Sequence, residues 1–135
     1  MASLLKVDAL TGVTTAGSIS VTGEGNSTTT NLQQGLAKSW CDIAANPVAF
    51  NDSFGMSSSS DIAVGNYSVS FTNPFSNAYY APAGNTSTSG FSTNAFTNRI
   101  DAAEKTTSLY EWSTSNGNSA YDLTFNTLTI SGDLA

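Results

Sequence analysis

The sequence predicts a mainly β protein: an antiparallel β-sandwich-like head with a short N-terminal β-ribbon arm and at most one short helix. Three observations carry the prediction. Apolar and polar residues alternate with a period of two in "NYSVSFTN" and "TTSLYEWST", the pattern of strands with one buried face. Gly, Asn and Pro turn signals punctuate the chain between β-rich runs. Only "NLQQGLAKSW" spaces its apolar residues like a helix. At 135 residues, one domain, or one small domain carrying an extended arm, is expected.

Taken in order, "LLKVDALTGVTTAGSISVTGEG" reads as two short strands around a Gly turn, with Leu5, Val7 and Ala9 alternating in the first and Ile19 and Val21 in the second. An isolated hairpin is marginal in water, so residues 1–30 are expected to act as an attachment or oligomerisation arm that docks on another surface. Residues 31–135 form the expected globular antiparallel domain. At its entrance, Thr30 and Gln33 have the spacing of a capping box, and Leu32, Leu36, Trp40 and Ile43 fall at helical spacing. Gly35 opposes a long helix, since Gly costs about 1 kcal/mol there. A short helix leading into a strand is the expectation.

Further on, Tyr67, Val69 and Phe71 share one face of a strand while Ser68, Ser70 and Thr72 share the other. Pro74 ends that strand, Tyr79 and Tyr80 begin the next, and Pro82 marks an edge or a strand end. Phe91 and Phe96 are expected on the surface of the core. Asn116-Gly117, between two β-rich runs, signals a tight hairpin. The last strand shifts its apolar residues from Leu123 and Phe125 to Leu128 and Ile130, which predicts a bulge near Asn126 and Thr127. About six to eight strands in a sandwich or sheet fit this spacing.

Composition removes most chemistry. Histidine is absent, and with it the commonest general base, the usual triads and the usual transition-metal ligand. Cys41 is the single cysteine; it forms no intramolecular disulfide and reads as a small buried hydrophobe. No Gly-rich phosphate loop, calcium loop or zinc framework is present. Asp101, Glu104 and Glu111 are available for glycoside hydrolysis, but their polar, turn-like surroundings read as solvated side chains. No catalytic residue, cofactor or metal is therefore expected, and the protein is read as not an enzyme. Charged residues are 10% of the chain and the net charge is −6, so no basic surface for nucleic acid exists. Membrane insertion is not expected, and "MASLLKVDALTG" turns polar too soon for a signal peptide. Asn26, Asn51, Asn66 and Asn85 head N-glycosylation triplets that such a composition produces by chance.

Aromatic residues remain. Tyr79, Tyr80, Tyr110, Trp112 and Tyr121 offer sugar-stacking rings or, equally, core and interface material. Tyr80, Tyr110 and Trp112 are the candidate surface ligand contacts; Ser108, Tyr110 and Trp112 share one strand face.

The order "LLKVDAL", "GVTTAGSISVTGEG", "NLQQGLAKSW", "DSFGMSSSSDIAVGNYSVSFTNPFSNAYYA" and "LTISGDLA" resembles small virion proteins of tailed bacteriophages, marine ones in particular, that are tail-fibre-like or head-decorating. In that group a "LKVD.I"-type ribbon precedes a "LQQGLAKAW" segment. A "DSFNVSS.TD.GTG.Y.V.FT..M.NANYA" block follows, and a final strand ends in "GD". The matching stretches are 5–10, 32–40, 52–61, 67–80 and 130–133. Gly55 stands where the group has Asn, the following turn differs, and residues 83–107 match nothing in the pattern.

The resemblance implies a homotrimer attached to a capsid or tail, made in the host cytoplasm and located on the virion. It has other virion proteins as partners. Leu5, Val7, Ile19, Val21, Leu32, Leu36 and Trp40 are then the expected oligomer or attachment interface, with Leu32, Leu36 and Trp40 packing against their copies near a three-fold axis. A module of a tail fibre that binds a host surface glycan is the alternative.

Overall fold

The computed structural model describes residues 4–13, 19–22, 29–32, 36–45, 48–87, 94–99, 103–117 and 119–134. The chain divides into two compact units, Met1–Leu36 and Ala37–Ala135.

In the first unit, β1 (Ser20–Thr22) pairs antiparallel with β2 (Thr29–Asn31), Val21 opposite Thr30. The Leu32 amide donates to the Ile19 carbonyl at 2.9 Å and extends the ladder. The strand expected at Leu5–Ala9 is not formed: residues 4–13 have no regular structure, and β1 pairs with the nearer downstream segment instead. Pairing with a close neighbour fixes less chain than closing a longer loop. Leu32 is helical; the rest of the expected short helix, residues 33–35, lies outside the described residues, as does the Gly turn at 14–18.

Among the described residues, the second unit holds eight strands: β3 (Ser39–Ala45), β4 (Val48–Phe54), β5 (Met56–Ala63), β6 (Asn66–Phe71), β7 (Ala81–Ser87), β8 (Asn94–Asn98), β9 (Leu109–Asn116) and β10 (Phe125–Ser131). They form two four-stranded antiparallel sheets, in the orders β4-β3-β10-β7 and β5-β6-β9-β8, packed as a sandwich. Alternation explains the packing. Cys41 and Ile43 of β3, Tyr67, Val69 and Phe71 of β6, Tyr110, Trp112 and Thr114 of β9, and Asn126, Leu128 and Ile130 of β10 are all buried. Their strand neighbours mostly face outward, as a period of two requires.

The chain crosses from one sheet to the other at Gly55, between the two edge strands β4 and β5. Its φ is +71°, and a Cβ there would lie 2.8 Å from the Lys38 carbonyl oxygen and 2.7 Å from Ser39 Oγ. Both the dihedral and the space demand glycine. At the opposite edge β7 and β8 are consecutive, and the Phe96 ring of β8 covers Gly84 of β7 so closely that a Cβ would meet it at 2.4 Å. Phe96 also stacks on Trp112, ring centroids 6.0 Å apart. Rings then run through the core, with Trp112 on Tyr110, Tyr110 edge-on to Tyr80, and Tyr80 against Phe71 and Phe75.

One expectation is corrected and one is narrowed. First, β10 has no bulge: it pairs without interruption from Phe125 to Ile130 with β3 and from Phe125 to Ser131 with β7. The inward row is Asn126, Leu128 and Ile130, and Phe125 faces out. Asn126 is tolerated inside because Thr86 Oγ1 donates to its Oδ1 at 2.8 Å and its Nδ2 donates to the Leu123 carbonyl at 3.1 Å; a buried amide with partners costs little. Second, the tight hairpin at Asn116-Gly117 forms but is short, and it does not pair β9 with β10. Gly117 has φ +91° and the chain reverses there, with Ser115 bridging Ala120. It then passes to β10 in the other sheet. Pro82 lies on β7, an edge strand as expected.

Candidate interaction surface

The buried titratable groups are structural. Cys41 is 2% exposed, and burial, aided by Asp42, pushes its thiol up to about 12, which leaves almost no thiolate at neutral pH. Burial also raises the Tyr67, Tyr80 and Tyr110 hydroxyls well above the ordinary tyrosine value, helped at Tyr67 by the Asp122 carboxylate and at Tyr80 by Tyr110. Each hydroxyl has an acceptor. Tyr67 donates to Asp122 Oδ1 at 3.1 Å, Tyr80 to the Leu109 carbonyl at 3.0 Å, and Tyr110 to Asn98 Oδ1.

This placement overturns one expectation. Tyr80, Tyr110 and Trp112, the candidate surface ligand contacts, are 3%, 0% and 0% exposed. The strand face that carries Tyr110 and Trp112 is the face that closes the sandwich, so no sugar ring reaches it. Tyr79 and Tyr121 are exposed.

Glu104 and Glu111 come together at Arg99, which ion-pairs with both, the contact to Glu111 Oε2 measuring 3.5 Å. Asp101 lies outside the described residues. Among the described residues, no three His, Cys, Asp or Glu side chains gather as a metal site, and no helix is long and apolar enough to cross a membrane.

Exposed apolar side chains gather in two places, with Ile62, Val64, Tyr79 and Tyr121 exposed elsewhere on the sandwich. In the N-terminal unit, Leu4, Leu5, Val7, Leu10 and Val13 are all exposed, Leu5 at 80% and Val13 at 95%. Val21 and Leu36 are exposed too, and Ile19 and Leu32 are partly so. Trp40, the last residue of the expected interface, lies on β3 of the sandwich at 37% exposure.

Trp40 belongs to a row that the sequence reading missed. Opposite it on β4 stands the exposed Phe54, and one inward-outward repeat along, Asp42 faces Asp52 across the same two strands. Asn51, the extra residue at the β4 irregularity, donates from Nδ2 to Asp42 Oδ1 at 2.8 Å. The Ser53 amide donates to Asp52 Oδ1 at 2.8 Å. Beyond them on β10 are Thr129, opposite Trp40, and Thr127, opposite Asp42, with Phe125 exposed at the far end. Like charges directly across a strand pair repel. No salt bridge reaches Asp42 or Asp52 among the described residues.

The cations of the sandwich are engaged elsewhere: Lys38 is buried, Arg99 holds the two glutamates, and Lys105 Nζ sits 4.8 Å from the Tyr80 ring centroid. Lys6, in the N-terminal unit among the exposed apolar residues, is exposed. No family model, curated protein or solved structure matches the chain.

Proposed function

We propose that this chain is a structural protein of a tailed-bacteriophage virion: a homotrimeric fibre or capsid-decorating knob, attached to the particle through its N-terminal arm. The observation that carries the reading is the run Leu4, Leu5, Val7, Leu10 and Val13, apolar and exposed. A fully buried leucine or valine gains about 1.5–3 kcal/mol over an exposed one, so a segment written this way gains most by meeting another chain. Contiguous exposed apolar patches mark interaction sites. The sandwich itself fits a passive role, with tyrosines hydrogen-bonded in the core and the Glu104–Glu111 pair locked by Arg99. Its exterior carries few charges, as a particle-bound knob tolerates. The sequence resemblance supports the same reading.

Immunogold labelling of purified phage particles, with antibody raised against the full chain, tests it. Regular label on head or tail is the expected result. Particles free of label, with the protein left in the soluble fraction of the lysate, would overturn it.

A further inference from the structure

We propose that the arm of one copy docks on the outer face of β3 and β4 of a second copy, with Leu4 on the Trp40–Phe54 row and Lys6 between Asp42 and Asp52. The inference rests on the homo-oligomeric reading above and names the surface that the oligomer uses.

Charge and spacing carry it. The acidic pair faces itself across two strands with no cation of its own sheet to relieve it, and the exposed cation Lys6 is flanked by exposed apolar side chains. Trp40 precedes Asp42 by two residues, and Phe54 follows Asp52 by two. Rows two residues apart in a strand are separated by about 6.8 Å. Leu4 and Lys6 have that same separation in an extended segment, on one side of it, while Leu5 and Val7 point to the other. One side of the arm thus matches an apolar row followed by an acidic row. The other side, Leu5 and Val7, is left for packing between arms. Burying Trp40 and Phe54 supplies area, and the ammonium between two carboxylates fixes register and partner. The acidic row also discriminates against anionic occupants such as nucleic acid or phosphorylated glycans.

Two experiments on the full chain test this. In the first, Lys6→Asp weakens self-association about tenfold or more, read by light scattering across a dilution series, and Asp52→Lys in the same chain restores it. In the second, chains carrying Leu4→Cys are co-expressed with differently tagged chains carrying Phe54→Cys, so that a disulfide between the tags forms only between copies. A covalent heterodimer is expected with Leu4→Cys and not with Leu5→Cys. An oligomer indifferent to Lys6→Asp, with no Leu4→Cys cross-link, would overturn the inference while leaving the oligomeric reading intact; a wild-type monomer would overturn both. Trp40-dependent retention of a neutral oligosaccharide on a glycan array, with no cross-link, would assign the face to sugar instead.

Discussion

Gly55 and Asn126 show how much single positions decide in this fold. Any side chain at Gly55 meets both a positive φ and the Lys38 carbonyl 2.8 Å away. Gly55→Ala is expected to destabilise by about 2–4 kcal/mol, combining the left-handed backbone cost with overpacking; urea denaturation of the variant measures it. Asn126→Ala leaves the Leu123 carbonyl without its buried amide donor, while the Thr86 hydroxyl keeps the Phe125 carbonyl at 3.1 Å; the cost is about 1–3 kcal/mol, read by the same method. Alkaline pH acts on the core through Cys41, whose thiol is raised from 9.0 to about 12 by burial, and through Tyr67, Tyr80 and Tyr110, raised by burial. A group raised in the folded state holds its proton there after the unfolded chain has lost it, so its contribution is full at neutral pH. That contribution falls as pH rises above about 9. A thermal-melt series from pH 7 to 11 should therefore show a declining Tm above about pH 9, and Cys41→Ala should flatten the first part of that decline.

At the scale of elements, the legible strands were those whose alternation was written in large side chains. Tyr67, Val69 and Phe71 gave β6, and Tyr110 and Trp112 gave a β9 face, because a period of two with bulky residues admits one inward row. β10 was misread because its inward row contains Asn126, and polarity in the sequence does not reveal the Thr86 hydroxyl that satisfies it. Asn116-Gly117 marks a tight hairpin, closed by the Ser115–Ala120 bridge, but it does not tell where the following strand goes: a turn signal is local, whereas the sheet that a strand joins is set by distant partners, here β3 and β7. Tyr80, Tyr110 and Trp112 failed as surface residues for the same reason, since which face meets the second sheet is a tertiary fact. The Trp40–Phe54 and Asp42–Asp52 rows required register between β3 and β4, interrupted by the irregularity at Asn51. The β7–β8 edge offers its own test. Gly84→Ala pushes on Phe96 and through it on Trp112, and a loss of about 1–3 kcal/mol should accompany a change in tryptophan fluorescence.

On the scale of the whole molecule, the two units differ in what they bury. The sandwich buries its aromatic chain and is a self-contained core. The N-terminal unit leaves its leucines and valines outside, and a two-strand ribbon alone is marginal. In the oligomer proposed above, closed symmetry would use the same small surface once per copy, and a short arm would gather enough buried area for a stable joint in that way. Trp40→Ala, at the exposed end of β3, should accordingly lower assembly far more than the urea midpoint of the sandwich. An equal loss in both would place Trp40 in the fold alone.

The central claim is that the chain functions as a homo-oligomer built through its arm, and the absolute mass of the purified full chain tests it most directly. Size exclusion with light scattering should give three copies of 14.0 kDa, unchanged on dilution. A clean monomer at every concentration would contradict the account.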